Sequence, residues 1–303
     1  MGATTRWKDT CAESFEEVIR KMTSQISNDE RTSSVYRINY STRKVLEQDG
    51  YFSFNGESIR FNMVRFGFDQ VTAQENPSDD RVIRKNGFII IYEQRGSIYY
   101  IVDQNTKAKN ILRKFLGYNG RNEIEDSKFD FREDFFVWLV SRVYNSAEPI
   151  ENDYDGAIKE LQLEEIKGIR GNTEDLQTKV ATSGESVMNV ISTLSFLLES
   201  RRLNQVVLTL RYTGHDNIGV KLQKNTVELE RPYVGEYDEL SQDEMIAKIY
   251  LLLYLEILPL LEQEYRMNMA ENEWNQDTYI EFLTAIKDTV IEKIESKINS
   301  LSQ

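Results

Sequence analysis

Apolar residues recur along this chain at two periods, and the change from one to the other marks out its elements. Residues 11–27 put Phe15, Val18, Ile19, Met22 and Ile26 on one helical face, with Asp9 or Thr10 as the cap. From Ser34 the period falls to two. SVYRINY and GYFSFNGESIRFNMVRFGF alternate apolar with polar residues, with Gly50 and Asn55-Gly56 as turn signals. The polar stretch 69–80, which contains Pro77, reads as a loop. GFIIIYE and SIYYIVD then flank Gln94-Arg95-Gly96 and predict a hairpin over 87–103. Asn105 or Thr106 is expected to cap a helix, KAKNILRKFL, closed by Gly117. Its apolar face holds Ile111, Leu112, Phe115 and Leu116.

Residues 132–144 carry another helical stripe, Phe135, Phe136, Leu139, Val140 and Val143. The stretch 145–156, NSAEPIENDYDG, reads as a loop and as the preferred domain boundary. Beyond it come a strand, AIKELQLEEIKGI, and a helix over VMNVISTLSFLLES headed by the capping box Thr182-Ser183-Gly184-Glu185. Three strands follow, QVVLTLRY, IGVKLQ and TVELE, with turns at 214–217 and Lys224-Asn225. Ser241-x-x-Glu244 opens a helix reaching about Tyr265, and a last helix spans roughly 278–301. The sum is α+β: mainly antiparallel sheets in two subdomains, 1–148 and 149–303, with a long C-terminal helical pair. No 20–50-residue repeat indicates a solenoid or propeller.

Composition narrows the classes. The chain has 303 residues, 40% hydrophobic and 29% charged, with a net charge of −13. That charge is uneven: residues 1–120 hold 18 basic and 15 acidic side chains, net +3, and residues 121–303 hold 19 and 35, net −16. Residues 81–121 run against the overall sign, with nine Lys or Arg and two acids. The single cysteine, Cys11, excludes an intrachain disulfide framework and a cysteine-rich metal site. The strongest apolar run, 246–261, is shorter than a bilayer span and is broken by Lys248, Glu256 and Pro259. The expected address is cytoplasmic, with no membrane partner.

Candidate chemistry is sparse. His215, in Thr213-Gly214-His215-Asp216-Asn217, reads as a solvated turn residue, because adjacent Asp216 does not make a triad. Cys11, beside a predicted helix start, is read as structural. Asp80, Glu93, Arg95, Asp103 and Lys107 form the nearest approach to a metal-dependent nuclease, but they miss the required acid-x-Lys spacing. Gly168-Ile169-Arg170-Gly171 has the GxxG spacing of nucleotide-binding loops, amid repelling acids. No catalytic residue, metal ligand or cofactor is assigned.

The remaining signal is the basic segment. Arg84, Lys85, Arg95, Lys107, Lys109, Arg113 and Lys114 are the candidate anion-binding residues, with interleaved tyrosines available to stack. The first expectation is a non-catalytic component that contacts nucleic acid or another anionic macromolecule. Its acidic helical half would bind a protein partner or a second copy. The alternative is a protein-interaction adaptor or inhibitor without nucleic-acid binding, and third comes a nuclease.

Overall fold

The computed structural model describes residues 2–28, 34–73, 81–104, 106–120, 122–154, 157–173, 179–183 and 191–301. In chain order the elements are β1 (Thr5–Asp9), α1 (Phe15–Thr23), β2 (Val35–Lys44), β3 (Gly50–Phe54), β4 (Glu57–Thr72), β5 (Arg81–Gln94), β6 (Ser97–Val102), α2 (Ala108–Leu116), β7 (Ile124–Asp126) and α3 (Glu133–Tyr144). Then come β8 (Ile150–Tyr154), β9 (Ala157–Thr173), β10 (Lys179–Ser183), α4 (Ile191–Glu199), β11 (Ser200–Tyr212), β12 (His215–Gln223) and β13 (Thr226–Val234). The chain ends with α5 (Gln242–Leu252), a π-helical turn (Leu253–Ile257), α6 (Leu258–Ala270) and α7 (Gln276–Leu301). The fold is α+β, and each strand pairs antiparallel with its neighbours in one of two sheets.

Contacts divide the chain into two compact units, Met1–Phe129 with Glu239–Tyr254, and Asp130–Asp238 with Leu255–Gln303. The first holds the sheet β2-β4-β5-β6-β1-β7, with β3 on β4. Alternation along the long strands gives this sheet two apolar faces. Val64, Phe66, Phe68, Ile89 and Ile91 pack under α1 and α2, which contribute Phe15, Val18, Met22, Ile111, Leu112 and Phe115. Phe88 points the other way and meets Tyr250 of α5 at 5.6 Å. Arg65 on β4 forks onto Asp243 at the start of α5. The β5–β6 turn is two residues, Arg95 and Gly96, both at positive φ (50° and 70°), as a tight hairpin requires. Gly87 lies opposite Phe66, and a Cβ there would sit 2.6 Å from the ring.

Helix starts differ from expectation. Ser14, accepting from the Glu17 amide at 3.2 Å, caps α1, in place of Asp9 or Thr10. Asp9 ends β1, a strand that hydropathy does not reveal. The N-cap position of α2 is Lys107, with no side-chain cap, so Thr106 does not serve; Asn105 lies outside the described residues.

The second unit holds the sheet β10-β9-β11-β12-β13, with β8 on β9. Leu161, Leu163, Ile166, Val206, Leu208, Leu210, Ile218, Val220 and Leu222 are buried. Helix α3 lies on β9 and β11, α4 against α7 and β11, and α6 against β8. Phe135 and Trp138 of α3 meet Tyr265 of α6 at 5.4 and 5.5 Å, and the Trp138 indole donates to Asn268 Oδ1 at 2.9 Å. The stretch expected as a loop at 145–156 contains β8. Ser241 caps α5 by accepting from the Glu244 amide, as its motif predicts. Thr182 and Ser183 instead close β10, and Gly184 and Glu185 lie outside the described residues. Among the described residues, no helix is long and apolar enough to cross a membrane.

Candidate anion-binding surface

Antiparallel register fixes where each cation of the basic segment points. Lys85 pairs with Phe68 and Gly87 with Phe66, so Lys85 shares the face covered by α1 and α2. Arg84 pairs with Asp69 and therefore lies on the opposite face. On the α2 side, Lys107 Nζ donates to Gln70 Oε1 at 3.3 Å, Lys114 Nζ lies 5.5 Å from the Tyr40 ring, and the Arg37 guanidinium lies 5.2 Å from the Phe68 ring. Tyr40 contacts both Phe68 and Phe115 at 5.6 and 6.1 Å. Lys85, Lys107, Lys114 and Arg37 thus share one side of the sheet, beside a half-buried tyrosine. Lys109, also on α2, is half-buried. Arg37 precedes the basic segment, and only the register of β2 against β4 (Arg37 opposite Gln70) brings it here.

The other candidates are placed apart. Arg84 reaches across its face to the Asn39 carbonyl at 2.9 Å, Asp69 at 3.2 Å and Ser41 Oγ at 2.6 Å. Asn39 and Arg84 hold the Asp69 carboxyl below its ordinary value. Arg95 sits in the β5–β6 turn, eleven residues along β5 from Arg84, or about 36 Å at the usual rise. It approaches Glu57 at 3.4 Å. Arg113 faces Glu123 at 4.0 Å. Arg84 and Arg95 therefore meet acids within residues 1–120, and Arg113 meets one just beyond them.

His215 is a correction: it is 3% exposed, not a solvated turn residue. The reason is a β-bulge. The β11–β12 register runs Leu210↔Ile218 and then Tyr212↔His215, so β12 holds one extra residue between those pairs. The inward set Ile218, Val220 and Leu222 is thereby continued by His215 in place of Asp216. His215 Nδ1 and the Tyr233 hydroxyl share a 2.6 Å hydrogen bond, and the Tyr237 ring lies 4.8 Å away. Burial, followed by the Lys159 charge, pushes the imidazole down to about 4, against the opposing pull of Asp216 and Asp238. Burial also pushes the Tyr233 hydroxyl up to about 12. Nearby, Glu256 of the π-helical turn is 3% exposed and accepts from Lys159 Nζ at 2.6 Å and the Tyr212 hydroxyl at 2.7 Å. The group is a buried hydrogen-bonded cluster.

The remaining motifs separate as well. Cys11 is exposed and precedes α1 by four residues, outside its first turn. Glu93 lies opposite Ile98 near the hairpin turn, and Asp103 lies five residues further on, about 17 Å away at the usual rise. Asp80 is outside the described residues. Gly168–Gly171 is no loop: it lies within β9, bonded to β10 on one side and β11 on the other. Among the described residues, no group of three His, Cys, Asp or Glu side chains is placed to hold a metal ion. No protein-family model matches the chain, and neither does any curated protein sequence.

Proposed function

We propose that this chain is a non-catalytic binding component that contacts nucleic acid, or another anionic macromolecule, through the α2 side of its first sheet. The observation that supports this is that Arg37, Lys85, Lys107 and Lys114 share one side of the sheet, with Lys114 over the Tyr40 ring. Cations on one face neutralise successive phosphates, and a half-exposed ring offers a stacking surface. In this reading Arg84, Arg95 and Arg113 hold their own acids and take a secondary part. Four phosphate contacts predict an affinity for single-stranded nucleic acid that falls about fiftyfold between 50 and 200 mM salt.

The test is retention of the protein on single-stranded DNA and RNA at low salt, repeated with Lys85→Glu, Lys107→Glu and Lys114→Glu combined. Loss of retention in the triple variant, with retention kept in Arg95→Glu, supports the reading. Absence of retention in the unaltered protein overturns it and leaves the adaptor reading. One feature favours that alternative: α7 exposes Ile291, Ile294, Ile298 and Leu301 at a 3-4-3 spacing, an apolar seam suited to protein–protein association.

A further inference from the structure

The second unit contains a cavity of about 780 Å³ between the start of α3 and the α6–α7 connection, within the size range of small-molecule sites. Its floor is apolar: Phe131, Phe136 and Val137 are buried beneath it. Its wall is aromatic. Trp274 and Tyr279, both half-exposed, meet edge to face at 6.3 Å and 65°. The wall is held from below. The amides of Glu273 and Trp274 both donate to the Asn268 carbonyl, at 2.8 and 2.9 Å, while the Asn268 side chain accepts from Trp138. Trp274 is thus tied to a buried asparagine at the end of α6 and is not a loop tip.

Charge indicates what the cavity takes. Asp130, Glu133 and Asp134 line it, against Arg132 and Lys224. Asp134 accepts the Tyr265 hydroxyl. Residues 121–303 carry a net charge of −16, so the surrounding field also favours a cation. Arg132 and Lys224 are exposed, and their long stems can carry their charges outward to water. An aromatic wall backed by carboxylates over an apolar floor recognises an organic ammonium through cation–π contact and apolar burial.

We infer that this cavity is a binding site for a small organic ammonium ion bearing an apolar body, and that Trp274 is its principal contact. The site is independent of the α2 surface and does not rest on the role proposed for that surface.

The probe is benzyltrimethylammonium, compared with benzyl alcohol and benzoate, titrated against the full chain and followed by ligand-observed NMR and tryptophan fluorescence. The cation should bind at least about tenfold more tightly than either comparator, and Trp274→Leu should weaken it by about tenfold or more. Asp130→Asn with Glu133→Gln should reduce the preference for the cation while leaving benzyl alcohol unchanged. This second variant keeps the side-chain sizes and leaves the apolar floor and Trp274 in place, so it decides the matter if Trp274→Leu fails to fold. Equal binding of the three probes, absence of binding by the cation, or a cation affinity unmoved by the charge variant would overturn the inference.

Discussion

The burial of the chain's only histidine makes acid stability a direct readout of one side chain. His215 titrates at about 4 in the folded protein and at about 6.5 when unfolded. The sign follows from which state holds the proton. Between those values the unfolded chain binds a proton that the native state refuses, so stability falls as pH drops from 6.5 towards 4 and is steady above. Integrating the two titration curves from pH 7 to pH 5 gives a loss of about 2 kcal/mol. That is an upper figure, because slight opening around the ring would let water reach it. The groups facing the imidazole are Lys159 from β9, Tyr233 and Tyr237, and the carboxylates of Asp216 and Asp238. None of them has an ordinary value between 5 and 7. Asp243, held below its ordinary 3.8 by Arg65, contributes stability that persists above that value and is lost only below it. The assay is urea unfolding at pH 7, 6 and 5, for the natural sequence and for His215→Asn. The difference between the two proteins should shrink by about 2 kcal/mol across the window. An independent check is the NMR titration of the single imidazole, whose midpoint should lie near 4. A midpoint above 6, or parallel pH profiles for the two proteins, would refute the reasoning.

Three further outcomes are expected. Asp9, 5% exposed, accepts from the amides of Cys11 and Ala12 and from the hydroxyls of Tyr100 and Tyr118. Asp9→Asn places a donor against that ring of donors and should cost about 2–4 kcal/mol, read from tryptophan emission during urea unfolding. Glu256→Gln removes the charge that Lys159 and Tyr212 share; with Lys159 partly solvated, the loss should be about 2 kcal/mol by the same method. Gly87→Ala forces a methyl group against the Phe66 ring and should lower stability by about 1–3 kcal/mol, with unchanged secondary structure by circular dichroism.

What the sequence made legible depended on whether burial followed hydropathy. β4, β5 and β6 could be read because most of their buried positions are Phe, Ile, Val and Tyr at regular period. β1 could not, since its inward residues are Thr5, Trp7 and Asp9, two of them polar and satisfied only by partners far along the chain. β8 was hidden by its own acids and by the proline that precedes it. Turn residues marked the Asn55-Gly56 and Arg95-Gly96 hairpins because backbone conformation there is local. The inward turn of His215 was illegible because it follows from an inserted residue in a strand pairing, and pairing register is not written in one strand alone. The cationic face was half legible. The sequence supplied Lys85, Lys107 and Lys114, but Arg37 joins them only through β2–β4 register. The aromatic cavity escaped notice for the same reason: Phe136 and Trp274 belong to elements more than a hundred residues apart.

The first unit closes with residues 239–254, although its sheet is complete by residue 126. During synthesis, then, the side of the sheet bearing Phe88 emerges long before Tyr250 exists to cover it, and Arg65 waits equally long for Asp243. Thr4 likewise meets the Tyr254 hydroxyl only when a span of 250 residues has been made. Completion of this unit is therefore a late, long-range event, sensitive to anything that holds the nascent chain between the two segments. A fragment ending at Phe129 would leave that apolar face uncovered, and it should be recovered as aggregate unless the 239–254 peptide is supplied beside it.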